Sequence, residues 1–284
     1  MIYVLISVCC SVIVGVLIKI ARQRQVNVQQ LVLWNYPTTV LLTYMLFNPS
    51  LVSLNWSKFP YQFYIPLSIL LPTLFIFIAL AVKYSGIVKT DVAQRMSLFV
   101  PLIASFLLFK EVIQLNKIIG IAVGLVAVAC SVSWTKKPSS SSTNSIYPLI
   151  VFVGMGFIDI LFKQIAQYKD IPYTTSMFVV FIGAMIFAAI ILAYKVGWKR
   201  GTFDKSAIVW GLILGLFNFA NIYYYMKAHR AIADNPSIVF TAMNVGVIVL
   251  GSLIGVFMFN EKLSLTNKMG LVLAVFSILL IAYL

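Results

Sequence analysis

The chain has 284 residues, of which 62% are hydrophobic and only 10% charged, with a formal net charge of +14. Soluble domains carry about 25% charged residues, so one aqueous core cannot hide this much apolar surface, and lipid must solvate most of the chain. The basic residues fall in ones, twos and threes between apolar runs, as in short membrane loops, and no nucleic-acid partner is expected.

A bilayer core of about 30 Å takes roughly 20 helical residues per crossing. Ten segments meet that length: 2–20, 30–48, 62–82, 91–109, 116–134, 146–167, 174–194, 207–227, 236–259 and 267–284. The first lacks a basic leader and a convincing cleavage site, so it is read as a span rather than a removable signal. Connections are short. The stretch "KKPSSSSTNS", residues 136–145, is of low complexity and reads as a flexible linker.

The segments on either side of that linker resemble each other. Ile2, Tyr3, Leu5, Ile6, Leu17 and Lys19 align without gaps on Ile146, Tyr147, Leu149, Ile150, Leu161 and Lys163. Near the ends of the halves, "FKEVIQLNKIIG" parallels "FNEKLSLTNKMG", so that Phe109, Glu111, Leu115 and Gly120 match Phe259, Glu261, Leu265 and Gly270. Two matches in the same order point to duplication. Each copy, residues 1–135 and 146–284, then holds five spans, and an odd number forces the second copy to lie inverted in the bilayer. Inverted repeats are a recurring architecture of secondary transporters, with substrate bound near the midplane between the halves. The expected fold is therefore an all-α membrane protein of ten transmembrane helices in two inverted five-helix repeats.

This organisation, with Pro101, Glu111 and Gly120 in one half and Glu261 and Gly270 in the other, resembles the drug/metabolite transporter superfamily and its EamA-like branch. The ninth span departs from the pattern, with Gly251 where the partner of Pro101 would fall. The resemblance implies a ten-helix carrier of small metabolites, often an exporter, whose cavity is lined by spans one, three, four, six, eight and nine. It implies a cell-membrane location, in a bacterium the inner membrane. Basic residues are denser on the odd-numbered connections, which conflicts with the family's usual topology, and orientation stays open.

Polar residues within spans are the default functional candidates. Asp159 lies mid-span in "VGMGFIDILFK", where a charge must be paired, wetted or neutralised; Lys163 at i+4 is one available partner and a central cavity the other. Arg95 in the fourth span is either a snorkelling cation near Asp91 or a fixed anchor for a substrate carboxylate or phosphate. Gln94, Ser97 and Pro101 share a face beside it. In the eighth span Asn218, Asn221 and Tyr225 recur at i, i+3, i+7 with Tyr224 alongside, and Thr241 and Asn244 form a shorter version in the ninth. Such stripes either line a binding site or join helices by hydrogen bonds. Asn35, Glu111 and Glu261 are read as packing or architectural residues. The pairs Gly120 and Gly124, Gly211 and Gly215, and Gly251 and Gly255 are read as close helix packing.

Three cysteines, none in a CxxC, and one histidine offer no metal site or nucleophile pair, and no phosphate-binding loop appears. An enzyme is not expected, nor a cofactor. The reading is a secondary carrier working by alternating access, its partners a small molecule, the bilayer and protons. Arg95 and Asp159 together suit a zwitterion such as an amino acid. A channel or accessory subunit without coupled transport is the alternative.

Overall fold

The computed structural model describes residues 1–51, 59–85, 87–112, 114–131, 146–198, 202–260 and 264–283. The expected linker and Glu261 lie outside them. Every regular element among the described residues is helical: α1 Ile2–Gln23, α2 Val28–Phe47, α3 Tyr61–Ser85, α4 Ile87–Met96, α5 Phe99–Leu107, α6 Leu115–Ser131, α7 Ile146–Gln167, α8 Tyr173–Ala193, α9 Lys205–Ala231, α10 Pro236–Phe259 and α11 Leu265–Tyr283. Six helical segments are long and apolar enough to cross a membrane: Ile2–Gln23, Tyr61–Val82, Ile146–Gln167, Tyr173–Gly197, Lys205–Ala231 and Pro236–Phe259. Ala93–Leu107, Ile118–Ala127 and Lys268–Ser277 are shorter apolar stretches. Large apolar side chains such as Met45, Leu107, Phe257 and Val272 stand exposed on the outside. A helical bundle with an apolar exterior satisfies its backbone internally and presents hydrocarbon to hydrocarbon.

The segment expected as one span, 91–109, is two helices, α4 and α5, interrupted at Ser97 and Leu98. The cause is Pro101, which has no N–H to donate to the Ser97 carbonyl and whose ring crowds it. That carbonyl instead accepts the Val100 N–H at 3.0 Å, and the Ser97 hydroxyl donates to the Gln94 carbonyl at 2.6 Å. The kinked stretch lies directly on α7, where a Cβ added at Gly156 would sit 2.4 Å from Val100 Cβ and 2.9 Å from the Ser97 carbonyl.

Helices pack mainly across the two halves of the chain. α1 lies against α9 and α10, while α7 lies against α3, α4 and α5; α2 packs on α8 and α9, and α8 on α2 and α3; α6 packs on α11. These pairings convert into one another when the halves are exchanged. The ends of α5 and α10 match as well: Phe109 is followed by Lys110 and Phe259 by Asn260, each with φ 52° in the left-handed region that closes a helix.

At the α1–α2 end, the α8–α9 connection is clamped onto the other half. The Asp204 carboxylate accepts the Asn27 N–H at 2.7 Å and the Ser206 N–H at 2.9 Å, which caps α9. Gln30 donates to the Thr202 carbonyl and accepts the Asp204 N–H. The Asn27 amide, followed by those of Ser206 and Ala207, holds the Asp204 carboxyl below its ordinary value of 3.8. A depressed carboxyl pKa stabilises the fold above the unfolded value and loses that contribution as pH falls through the folded one. Asp204→Ala is therefore expected to cost about 1 kcal/mol at neutral pH. Its deficit relative to the parent should shrink below about pH 4. Thermal unfolding of the detergent-solubilised pair across pH measures both effects.

Candidate functional site

Between the halves, toward the α1–α2 end, lies a cavity of about 420 Å³. Its walls come from α1 (Ser11, Gly15, Lys19), α4 (Gln94, Arg95), α7 (Met155) and α10 (Asn244, Gly251, Ser252, Phe259), with valines and isoleucines between them. α3 and α9, expected on the lining, contribute no residue to it. The Lys19 ammonium sits 3.7 Å from the centroid of the Phe259 ring. Glycine creates the space. An added Cβ at Gly15 or Gly251 would meet no atom within 4 Å. At Gly211 it would lie 2.4 Å from Trp34 Cβ and 2.5 Å from the Leu31 carbonyl, and at Gly124 2.7 Å from Ser277 Oγ. Gly211, Gly215 and Gly124 thus bring helices together as expected, whereas Gly251 faces the cavity.

At the opposite, α9–α10 end a polar cluster ties buried Lys163, Glu111 and Ser237 to the exposed α9–α10 turn. Lys163, 1% exposed, donates to the Ala233 carbonyl at 2.7 Å, with Asp234 and Glu111 within electrostatic reach. Gln167 donates to the same carbonyl at 3.0 Å and to that of His229. Glu111, read from sequence as architectural, accepts the Ser237 N–H at 3.0 Å and the Ser237 hydroxyl at 2.6 Å. It caps α10 of the other half rather than the helix that follows it. The Lys163 ammonium also lies 5.5 Å from the centroid of the Phe109 ring. His229 is fully buried between the rings of Tyr225 and Phe240, and its two nitrogens have no hydrogen-bond partner among the described residues.

Asp159 belongs to neither arrangement expected of it. Its carboxylate accepts the Tyr225 hydroxyl at 2.9 Å, Lys163 is turned to Ala233, and Asp159 is not among the residues lining the cavity that holds Arg95. Helix periodicity could not show this, because the partner comes from another helix.

Of the other candidates, Gln94, Arg95 and Asn244 meet at the cavity. Ser97 serves the α4–α5 break. Asn218 donates to Asn35 at 2.8 Å and so joins α9 to α2. Asn221 accepts the Ser7 hydroxyl through both its side-chain oxygen, at 2.8 Å, and its backbone carbonyl, at 2.9 Å, joining α9 to α1. Tyr224 stacks on Tyr3 at 6.3 Å, in an aromatic group with Tyr223, Tyr173 and Phe47 over which Lys227 and Arg230 lie. Thr241 is buried, packed through its methyl near Gly124, and its hydroxyl has no hydrogen-bond partner among the described residues. The Asn218, Asn221, Tyr225 stripe makes interhelical hydrogen bonds, and none of the three lines the 420 Å³ cavity. Lys19, Ser11 and Ser252 line the cavity without having been singled out; the one signal was the alignment of Lys19 on Lys163.

Among the described residues no three His, Cys, Asp or Glu side chains cluster closely enough to hold a metal ion. The architecture is that of a multi-pass, all-helical membrane protein with a cavity between its halves. The model of the EamA-like transporter family matches residues 144–283. An uncharacterised protein of Haemophilus influenzae is 36% identical over 285 residues, covering 98% of this chain and 96% of that protein. A protein of solved crystal structure shares the fold with a TM-score of 0.75 at 13% identity, over 99% of this chain and 98% of the other. The chain belongs to the EamA-like transporter family, a branch of the drug/metabolite transporters.

The two kinds of glycine separate experimentally. Gly211→Ala should destabilise the protein by about 1–3 kcal/mol through overpacking, whereas Gly15→Ala should stay within about 1 kcal/mol of the parent, helix propensity favouring alanine. Thermal unfolding in detergent reads the difference; equal losses would mean that Gly15 is also a packing residue.

Proposed function

We propose that the chain is a secondary transporter of small metabolites in the cell membrane, working by alternating access. Its two inverted five-helix halves, 1–135 and 146–284, would move around a central cavity, with α4 and α5 together forming one span. The observation that carries this reading is a pair of equivalent contacts at opposite ends. Lys19 lies against Phe259 at the α1–α2 end, and Lys163 against Phe109 at the α9–α10 end. In the sequence register Lys19 answers to Lys163 and Phe259 to Phe109. Each contact therefore joins the first helix of one half to the end of the fourth span of the other. Inverted halves place the same device at both faces of a membrane, which is what a two-gated carrier requires.

The two ends differ in state. At the α9–α10 end the lysine is buried, while at the α1–α2 end it borders the 420 Å³ cavity. By the same register Asp159 answers to Gly15. Opening of the α9–α10 end would bring Asp159 to a cavity wall and break its bond to Tyr225. Protons are suitable coupling ions for a carboxylate that is exposed and covered in turn, and nothing in the chain suggests nucleotide hydrolysis.

Proteoliposomes holding a pH-sensitive dye, given pooled amino acids and other small metabolites, test this together with counterflow of labelled solutes. Solute-dependent flux is expected. Asp159→Asn should remove the solute-dependent proton movement, because a carboxamide cannot take up and release the coupling proton. Absence of proton movement and of counterflow for every pool would contradict the proposal.

A further inference from the structure

A second cavity beside the first gives the solute a shape. We infer that the chain carries an amphipathic solute, its polar head in the 420 Å³ chamber and an apolar group in an adjoining chamber of about 480 Å³; this rests on the central cavity being the transport site. The second chamber lies within the first half, among α1, α2, α3 and α4. Ile18, Val32, Phe75, Ile78, Ala79 and Val82 give it an apolar wall. Arg22 and Gln29 stand at its α1–α2 end, where the Gln29 side-chain oxygen accepts the Lys195 ammonium at 2.6 Å. Gly15 and Gln94 border both chambers.

Those two shared residues make the chambers one site. Gly15 has no side chain, and a Cβ there would meet no atom within 4 Å, so it leaves a passage between them. Gln94 lies in the last turn of α4, and its carbonyl accepts the Ser97 hydroxyl at 2.6 Å where the helix breaks. On one side of the passage Ser11, Asn244 and Ser252 offer uncharged polar groups that orient a polar head. On the other side Val32 is 1% exposed, and Ile18 and Phe75 pack against the cluster it belongs to, so the apolar wall is braced from behind. An apolar cavity takes up hydrocarbon in preference to water, each methylene transferred strengthening binding by about fourfold. A lipid chain is the competing occupant. Continuity with the chamber between the halves, through Gly15 and Gln94, favours the solute.

The apolar chamber can be probed without knowing the solute. Cys9, Cys10 and Cys130 are replaced by alanine, and a single cysteine is introduced as Gly15→Cys or Gly251→Cys, where a Cβ meets no atom. Gly15 borders both chambers, whereas Gly251 borders the 420 Å³ chamber and not the second. Each protein is modified in detergent by methyl and by benzyl methanethiosulfonate, and the ratio of the two rates is divided by that for 2-mercaptoethanol in the same detergent. The benzyl-to-methyl ratio at position 15 is expected to exceed that at position 251 by about tenfold, as burial of a ring-sized apolar group predicts. Ala79→Phe, which fills the second chamber, should bring the two positions level, and the smaller Ala79→Leu should lower the ratio at position 15 severalfold. Elution as a single symmetric species certifies each variant's fold. Equal ratios at the two positions overturn the inference. So does an excess at position 15 that survives both Ala79 substitutions, since lipid or detergent would then be concentrating the reagent. The readout is independent of turnover. A benzyl preference in a protein that moves no solute would sink the carrier proposal alone, while counterflow confined to solutes without an apolar group, with equal ratios, would sink this inference alone.

Discussion

A lysine ammonium removed from water must have an acceptor, because the unpaired charge costs several kcal/mol. At the α9–α10 end that requirement organises the molecule. Lys163 reaches the end of α7 fully buried and finds the Ala233 carbonyl in the turn between α9 and α10. Gln167 binds the same carbonyl, and Glu111 arrives from the first half to cap α10 through Ser237. Three connections from both halves are thereby drawn to one place. The ring of Phe109 lies near the Lys163 ammonium, and those of Tyr225 and Phe240 flank His229.

The other end carries equivalent residues in a different arrangement. Lys19 lies on the ring of Phe259 and borders the cavity, and the Asp204 clamp holds the two halves together at the periphery. On the proposed reading of two inverted copies, this difference between the ends is what a carrier with one gate shut at a time would show. The glycines of α1 and α10 supply the volume, the kinked α4–α5 segment supplies Gln94 and Arg95, and the asparagines of α9 hold the adjacent helices without taking part in the cavity.

Much of this was legible in the residues and some was not. Span length follows from hydropathy, so helix positions were readable to within a few residues. The repeat register paired Lys19 with Lys163 and Phe109 with Phe259, which is why the two lysine–ring contacts have a sequence counterpart. Pro101 marked the break in the fourth span, although the expected span ran through it. Facing was not readable. Helical spacing put Asn218, Asn221 and Tyr225 on one stripe, yet they meet Asn35, Ser7 and Asp159 on three different helices. Gly211 and Gly251 sit in identical small-xxx-small patterns, and only the neighbouring helix distinguishes a close approach from an opening. Asp159 likewise had Lys163 at i+4 as the partner suggested by sequence distance and a cavity as the other option, yet it bonds Tyr225, because rotation of a helix in its bundle is set by all its neighbours at once.

Alternating access requires the α9–α10 end to open for a solute to cross. Cysteines at Gln167 and Ala233, whose side-chain amide and carbonyl are 3.0 Å apart, allow that end to be tied with a short, reducible thiol-to-thiol cross-linker in a background lacking the native cysteines. Counterflow in proteoliposomes is then followed before cross-linking, after it and after reduction. Transport is expected to stop on cross-linking and to return on reduction. Undiminished counterflow through a fully cross-linked protein would mean that the seal stays shut while solute passes, and the account would be wrong.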